Sequence, residues 1–415
     1  MAIVKPFKAI RPATDLVEKV ACLPYDVMNT EEAREMAQGN PYSFLHVVRP
    51  EINLAADQDP YADVVYETAR KNLDAFVEKG YMKEEAVPLF YIYRQLMNGR
   101  VQTGIVGCTS IDDYLNDIIK KHEFTRPVKE VDRIQNFSFC EAHTEPVFLT
   151  YRNRKSLTTI MNDWIKFHMP AYNFTTDDGI THIFWPIGDL SVVSEIEKEF
   201  ADIDFLYIAD GHHRSASSVK VGLKKREENP GFTGNEEFNF FMAVIFPDDD
   251  LFIMDYNRVL TDLNGYSEAD FLTKVAEKFD VTDAPVGTPY KPMSKHTFGM
   301  LLDGKWYILK AKEGIYDEKD PVDRLDVSIL QKNLLGPVLG IQDPRTDKRI
   351  DFVGGIRGLE ELERRCALDM KVAFSMYPTT MDDLLDIADA GEVMPPKSTW
   401  FEPKLRSGLF VHSFR

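Results

Sequence analysis

Apolar positions along this chain switch repeatedly between helical and strand spacing. In DPYADVVYETARKNLDAFVEKG, Val65, Ala69, Leu73 and Phe76 recur on one helical face. Asp59 can cap that helix, Pro60 suits its first turn and Gly80 can stop it. PLFYIYRQLMNGRVQTGIVGCTSI then reads as two strands around Asn98-Gly99, a dipeptide suited to a hairpin turn with positive φ. The next pattern predicts a helix to about Lys121, with Pro127 interrupting the segment beyond it and leaving HEFTR at a boundary. SFLHVVRPE reads as strand-like alternation carrying His46 and Arg49, and short strands return at EPVFLTYR and THIFWPIGD around the amphipathic TTIMNDWIKFHM.

FLYIADGHHRSASSVKVGLKKREENPG predicts a strand ending at Ala209, a tight corner and a helix from about His212; with the apolar run FNFFMAVIFPDDD behind it, this is a β-α-β reading. Further on, Ser267 and Asp270 have capping-box spacing before a helix, HTFGMLLDGKWYILKA folds back at Asp303-Gly304, and Thr380 and Asp383 repeat the capping spacing. The pattern is mixed α/β, with no internal repeat and no low-complexity linker. A chain of 415 residues exceeds one core, at ~150 residues per domain. The expected division is a catalytic region over 1–260 and a C-terminal α/β region over 261–415 that lends its KSTWFEPKLRSG tail to the site.

Composition narrows the function classes. Hydrophobic residues at 44% and aromatics at 12% supply a sizeable core. A net charge of -18 repels phosphate backbones, which disfavours nucleic acid, while short-range contacts with a few basic side chains can still hold a small anion. Cys22, Cys108, Cys140 and Cys366 are scattered and suggest neither a zinc knuckle nor a disulfide framework, so a reducing cytoplasm is expected. Neither an apolar leader after MAIVKPFKAIRP nor eighteen uninterrupted apolar residues occur, so no membrane role is expected.

The ADGHHRSA corner carries the chemistry. Free amides and the positive helix end attract anions there, Gly211 permits close backbone approach, and Arg214 can fork onto a phosphate. His212 and His213 can donate to oxygen or move a proton near neutral pH, and Asp210 can hold magnesium or orient a histidine. Two other readings compete: a plain turn with capping histidines, and a metal site of Asp210, His212 and His213. The anion site is preferred, because no further His or Cys spacing supports a metal.

Other stretches offer supporting groups. Tyr25 and Asp26 in LPYDV form either a phosphate-side loop or an Asx turn, and Arg49 is the better ligand of its segment. The tail gathers Lys397, Ser398, Thr399, Lys404 and Arg406 with Trp400 and Phe401, either an anion-binding wall or a solvated basic tail. Arg258 ranks as a pocket residue at a strand end.

ADGHHRSA after a strand resembles the signature of the ParB/sulfiredoxin-like superfamily, whose members bind nucleotides or phosphates through a strand, loop and helix. RPATDLVEKVACLPYDVMNTEEA, NPYSFLHVVRPE, KKHEFTRPVKEVDR, ADGHHRSA and MPPKSTWFEPKLRSGL together resemble the bacterial family known as domain of unknown function 1015, over essentially the whole chain. Within the superfamily, free serine kinases share an HE box followed by an arginine, here Arg126, and then DGHHR. The resemblance implies a ParB/sulfiredoxin-like core, Glu123 as general base toward a serine hydroxyl, and Asp210, His212, His213 and Arg214 around phosphate and metal. Roughly 85 residues separate Glu123 from Asp210, a wider interval than in the kinases.

The function expected from these readings is phosphoryl transfer on a small hydroxy amino acid, releasing phosphate from phosphoserine or phosphorylating serine from ATP or ADP with magnesium. A histidine of the pair is the candidate nucleophile in the first case. The alternative is a nucleotide-binding switch without metabolite turnover. Partners are then a phosphorylated metabolite or a nucleotide, neither nucleic acid nor membrane, with the oligomeric state open.

Overall fold

The computed structural model describes residues 1–125 and 127–415; Arg126, the arginine next after the HE box, lies outside the described residues. Two compact units divide the chain, Met1–Leu251 with Pro403–Arg415, and Phe252–Glu402.

In the first unit, nine strands among the described residues form a mixed sheet: β1 (Val4–Lys5), β2 (Phe90–Met97), β3 (Arg100–Ser110), β4 (Ile119–Lys120), β5 (Val147–Tyr151), β6 (Tyr172–Thr175), β7 (Thr181–Ile187), β8 (Leu206–Asp210) and β9 (Phe240–Pro247). Their order is β4–β8–β5–β9–β3–β2–β7–β6, with β1 also on β3. The longer helices of this unit are α1 (Asp63–Glu78), α2 (Pro127–Cys140), α3 (Lys155–Phe167), α4 (Leu190–Ala201) and α5 (His212–Glu228). Leu157 and Met161 of α3 and Val193, Ile196 and Phe200 of α4 join one core with Ile92, Ile105, Leu149, Ile208 and Ala243 of the sheet. The residues Ser215 to Ser218 are small and buried, which lets α5 lie close to α2; Ser217 Oγ donates to the Glu130 carbonyl at 3.1 Å.

The mixed α/β class is as expected, and several elements obey their local chemistry. Asn98 and Gly99 at φ 51° and 79° turn β2 into β3. Four expectations are corrected. Helix α1 starts at Asp63, because Asp59 closes a turn by accepting the Tyr61 amide at 3.0 Å and caps nothing. The helix expected to reach Lys121 ends at Leu115: Asp117 is left-handed at φ 55°, and Ile119 then leads into β4. Pro127 opens α2, where a missing N–H costs nothing. SFLHVVRPE contains a helical turn, Leu45–Val48, with Val47 and Val48 buried in a second cluster that includes Phe44, Leu73 and Phe76.

The β-α-β reading around the corner holds in chain order and fails in topology. β8 runs antiparallel to β5 while β9 runs parallel to it, so α5 joins two antiparallel strands with β5 between them. The tail Pro403–Arg415 enters this unit as an interior strand: Val411–Ser413 lies between Ala9–Pro12 and Ala142–His143 in a small sheet.

The second unit holds β10 (Tyr256–Leu260), β11 (Phe279–Asp283), β12 (Thr297–Leu302), β13 (Lys305–Ala311), β14 (Ile350–Gly354) and β15 (Val372–Ser375), paired antiparallel in the order β11–β13–β12–β15–β10–β14. Asp303 and Gly304 turn β12 into β13 as expected, at φ 49° and 73°. Ser267 and Thr380 cap α6 (Glu268–Lys278) and a later helix, Met381–Asp389, the second with a complete capping box. Val259, Leu301, Val353 and Ala373 form a core cluster on one face of its sheet, and Met300 and Phe374 are buried on the other. Among the described residues no helix is long and apolar enough to cross a membrane.

Candidate functional site

Three local features build the corner after β8. The register with β5 shifts after Ile208, which opposes Leu149, so that Asp210 opposes Phe148 and Ala209 is the extra residue. Such a bulge re-aims the next side chain. Gly211 then adopts φ 95° and ψ 32°, and a Cβ there would stand 3.2 Å from Arg214 Nε. Helix α5 begins at His212 with no side-chain cap, which leaves its positive end at the corner for an anion. The Gly211 amide donates to Asp210 Oδ1 at 2.8 Å.

Sheet topology brings the HE box to the same place. β4 pairs parallel with β8, Ile119 beside Leu206 and Lys120 beside Tyr207, so the residues after both strands emerge at one sheet end. His122 packs edge-on to His212 with ring centres 4.4 Å apart, and its amide donates to His212 Nε2 at 3.4 Å. Since Nε2 accepts, the His212 proton sits on Nδ1, and that nitrogen is 3.7 Å from Glu123 Oε2. Burial holds His212 well below the ordinary histidine range and pushes His122 down to about 4, so both rings are neutral at physiological pH. Glu123 is 51% exposed while His212 is 4% exposed. The exposed Glu123 carboxylate therefore stands beside a buried, neutral imidazole, at a separation longer than a hydrogen bond. His213 is half-exposed.

Asp210 is paired with the tail. Lys404 Nζ donates to Asp210 Oδ2 at 3.0 Å, and an Arg214 terminal nitrogen lies 3.9 Å from Asp210 Oδ1. Burial would raise this carboxyl, but Lys404 and Arg214 outweigh it and hold it well below the usual carboxylate range. Arg214 is 3% exposed and donates to the Pro146 carbonyl at 2.5 Å, with Asp26 a further 3.9 Å neighbour. Its Nε is buried and has no hydrogen-bond partner among the described residues, and the same is true of His122 Nδ1. Two orphaned donors or acceptors at one corner are costly unless a ligand or water meets them.

A second layer holds the LPYDV turn. Glu145 and Arg133 form a buried ion pair at 2.9 Å; Glu145 also accepts from the Tyr25 amide at 3.0 Å and the Ser407 hydroxyl at 3.1 Å. The Arg133 guanidinium stacks 3.9 Å over the Tyr25 ring. Tyr25, Asp26 and Val27 form a short 3-10 turn under Arg214. Arg49 lies on its other side, 3.0 Å from Glu51, and donates to Thr30 Oγ1 at 3.0 Å and the Tyr25 carbonyl at 3.3 Å.

The structure thus brings together Glu123, Asp210, Gly211, His212, Arg214, Asp26 and Lys404. Arg406 is engaged elsewhere: it pairs with Asp178 and donates to Thr176 Oγ1 at 3.1 Å and His182 Nε2 at 3.3 Å. Lys397 belongs to the second unit, its ammonium 5.5 Å over the Tyr256 ring. Sequence reading passed over His122, Arg133 and Glu145. A legible signal existed for one of them: Arg133 falls on the buried face of α2 with Phe137 and Cys140, and a charge on an apolar stripe needs a partner.

Among the described residues no three metal-ligating side chains converge. Asp210 and Asp26 share one guanidinium nitrogen as a neighbour and Asp210 is also paired with Lys404, so with Glu123 they do not make a closed protein cage, and magnesium would have to arrive largely liganded by phosphates and water.

A family profile described as "Protein of unknown function (DUF1015)" matches residues 4–328. No curated protein matches the chain. Among solved structures, free serine kinase in complex with AMP is similar at 13% identity and a TM-score of 0.35, covering 70% of this chain and 85% of that one. SbnI with a C-terminal truncation, from Staphylococcus aureus, is similar at 10% identity and a TM-score of 0.39, covering 74% and 87%. A conserved hypothetical protein from Pyrococcus furiosus is similar at 13% identity and a TM-score of 0.35, covering 73% and 93%.

Proposed function

The chain belongs to the DUF1015 family, and we propose that this member is a nucleotide-dependent phosphotransferase acting on the hydroxyl of a small amino acid, serine before others. The observation that carries the reading is the junction of Glu123 with His212 at the uncapped start of α5. A carboxylate base must reach the hydroxyl proton while the phosphate is held close by, and this corner offers both.

In this reading the nucleotide phosphates sit at Gly211 and the first amides of α5, with Lys404 and Arg214 supplying positive charge. Glu123 takes the hydroxyl proton, the serine oxygen bonds to the terminal phosphorus, and the bond from that phosphorus to the bridging oxygen breaks, releasing the shortened nucleotide. The neutral Nδ1–H of His212 stands 3.7 Å from the carboxylate and would aim it once that contact tightens in the complex. Arg49 supports the Tyr25–Asp26 turn from behind. Asp210 and Asp26 would hold magnesium brought in with the phosphates, which spreads their charge.

Hydrolysis of phosphoserine through a phosphohistidine on His212 is disfavoured, which leaves the half-exposed His213 as the histidine nucleophile that route would need. His212 is buried with Nε2 already accepting an amide and Nδ1 directed at Glu123, so neither nitrogen is free to attack phosphorus. The test is to incubate the purified chain with serine, magnesium and either ATP or ADP, and to follow phosphoserine by phosphorus NMR. Glu123→Gln should slow turnover by about 10²–10⁴-fold. No phosphoserine from either nucleotide, or a Glu123→Gln variant as fast as the parent, overturns the proposal.

A further inference from the structure

The second unit has a cavity of its own, of about 310 Å³, lined on one side by Arg258, Ile350 and Phe352 and on the other by Val327, Gln331 and Leu335, with Pro395 and Pro396 at its rim. Strand alternation explains the first wall. Val259 and Val353 point into the core, so their neighbours Arg258, Phe352 and Ile350 line the opposite face of β10 and β14, where Arg258 pairs with Phe352. The second wall comes from the helix Asp326–Leu330, which widens into a π-helical turn over Gln331–Leu335. Such turns recur at functional sites because the extra residue opens space along the helix.

Arg258 is the unexplained group. It is 4% exposed, and its terminal nitrogens donate to the Tyr256 carbonyl and, at 3.0 Å, to the Lys397 carbonyl. The Phe352 ring lies 5.5 Å away. Among the described residues no carboxylate acts on it, and burial lowers its pKa to about 10, so it is charged at neutral pH. A buried guanidinium without a counter-ion is unfavourable, whereas the other arginine of the cavity, Arg345, is neutralised by a two-pronged pair with Asp343 at 2.9 Å. Gln342 and the Asp343–Arg345 pair also line the cavity, and with that pair mutually neutralised one positive charge, on Arg258, remains to be met.

We propose that this cavity is a second binding site, and that it takes a small organic monocarboxylate, its carboxylate on Arg258 and its compact apolar body between Phe352, Ile350, Val327 and Leu335. A single negative charge matches the single unmet positive one; a phosphate dianion would leave a buried charge in excess. The volume stands at the lower end for small-molecule sites, which limits the body to about the size of one ring or a branched chain.

The test is titration calorimetry of the full chain with benzoate and 4-methylpentanoate, against benzamide and inorganic phosphate. Saturable binding of at least one carboxylate is expected, with benzamide and phosphate each weaker by about 10-fold or more. Arg258→Met should abolish that binding. Val327→Phe, which fills the cavity and keeps the charge, should abolish it as well, so a misfolded arginine variant does not leave the matter open. Absence of carboxylate binding, equal affinity for benzamide, tighter binding of phosphate, or unchanged affinity in a folded Val327→Phe protein would each overturn the proposal.

Discussion

Lys404 and Asp210 are 194 positions apart and tie the C-terminal tail to the DGHHR corner, which makes their pair a direct test of how that corner is assembled. At 3.0 Å an effective dielectric of about 20 gives a gross attraction of roughly 5–6 kcal/mol. Desolvation opposes it. The Lys404 and Asp210 side chains are 13% and 30% exposed, so the net contribution should resemble that of a charge-assisted hydrogen bond, about 1.5–3 kcal/mol. The assay is a double-mutant cycle with Asp210→Asn, Lys404→Met and both, read by urea unfolding of the first unit's own transition. The coupling energy should exceed about 1 kcal/mol at pH 7. Because the folded carboxyl is held below its unfolded value, this contribution is fully present above the unfolded aspartate pKa of about 3.9 and is lost as pH falls through the lower folded value. The gap between parent and Asp210→Asn should therefore be flat from pH 8 to 5 and close only below about pH 4. Coupling under about 0.5 kcal/mol, the range of independent sites, would refute the assembly argued here.

Three further outcomes rest on the same geometry. Gly211→Ala places a Cβ at φ 95° and 3.2 Å from Arg214 Nε; it should cost about 1–2 kcal/mol, seen as a lowered melting temperature, and unchanged stability would mean the corner relaxes freely. Removing residues 403–415 strips Leu405, Leu409, Phe410, Val411 and Phe414 from the core, about 1.5–3 kcal/mol each. That sum rivals the stability of a whole domain, so the shortened chain should fail to give a cooperatively folded first unit by circular dichroism and proteolysis. Burial holds His212 and His122 neutral, so the acid limb of the proposed phosphotransfer rate should show no inflection from them near 6.5; one there that disappears in His212→Asn would contradict the neutral state of that ring.

Local chemistry was legible wherever neighbours in sequence settle the backbone. Asn98-Gly99 and Asp303-Gly304 both turn hairpins, Thr380 and Asp383 cap reciprocally, and a strand ends at the DGHHR corner before a helix begins. Where distant partners decide, the patterns misled. His46 and Arg49 alternate as in a strand, yet Val47 and Val48 are both buried by a cluster that reaches Leu73 and Phe76, and a helical turn serves that burial better. Ile119 and Lys120 look like the end of a helix, yet pairing with Leu206 and Tyr207 draws them into the sheet.

What the sequence by itself determined is the corner: an apolar strand, a glycine able to turn left-handed, and basic and imidazole groups at a helix start, all set by residues within hydrogen-bond reach along the chain. Only the tertiary structure decided which groups meet it. A parallel strand pair carries Glu123 across roughly 90 residues to His212, and an interior tail strand delivers Lys404 to Asp210, because backbone hydrogen bonds between strands are indifferent to sequence separation and no local pattern records whose edge a short strand will join.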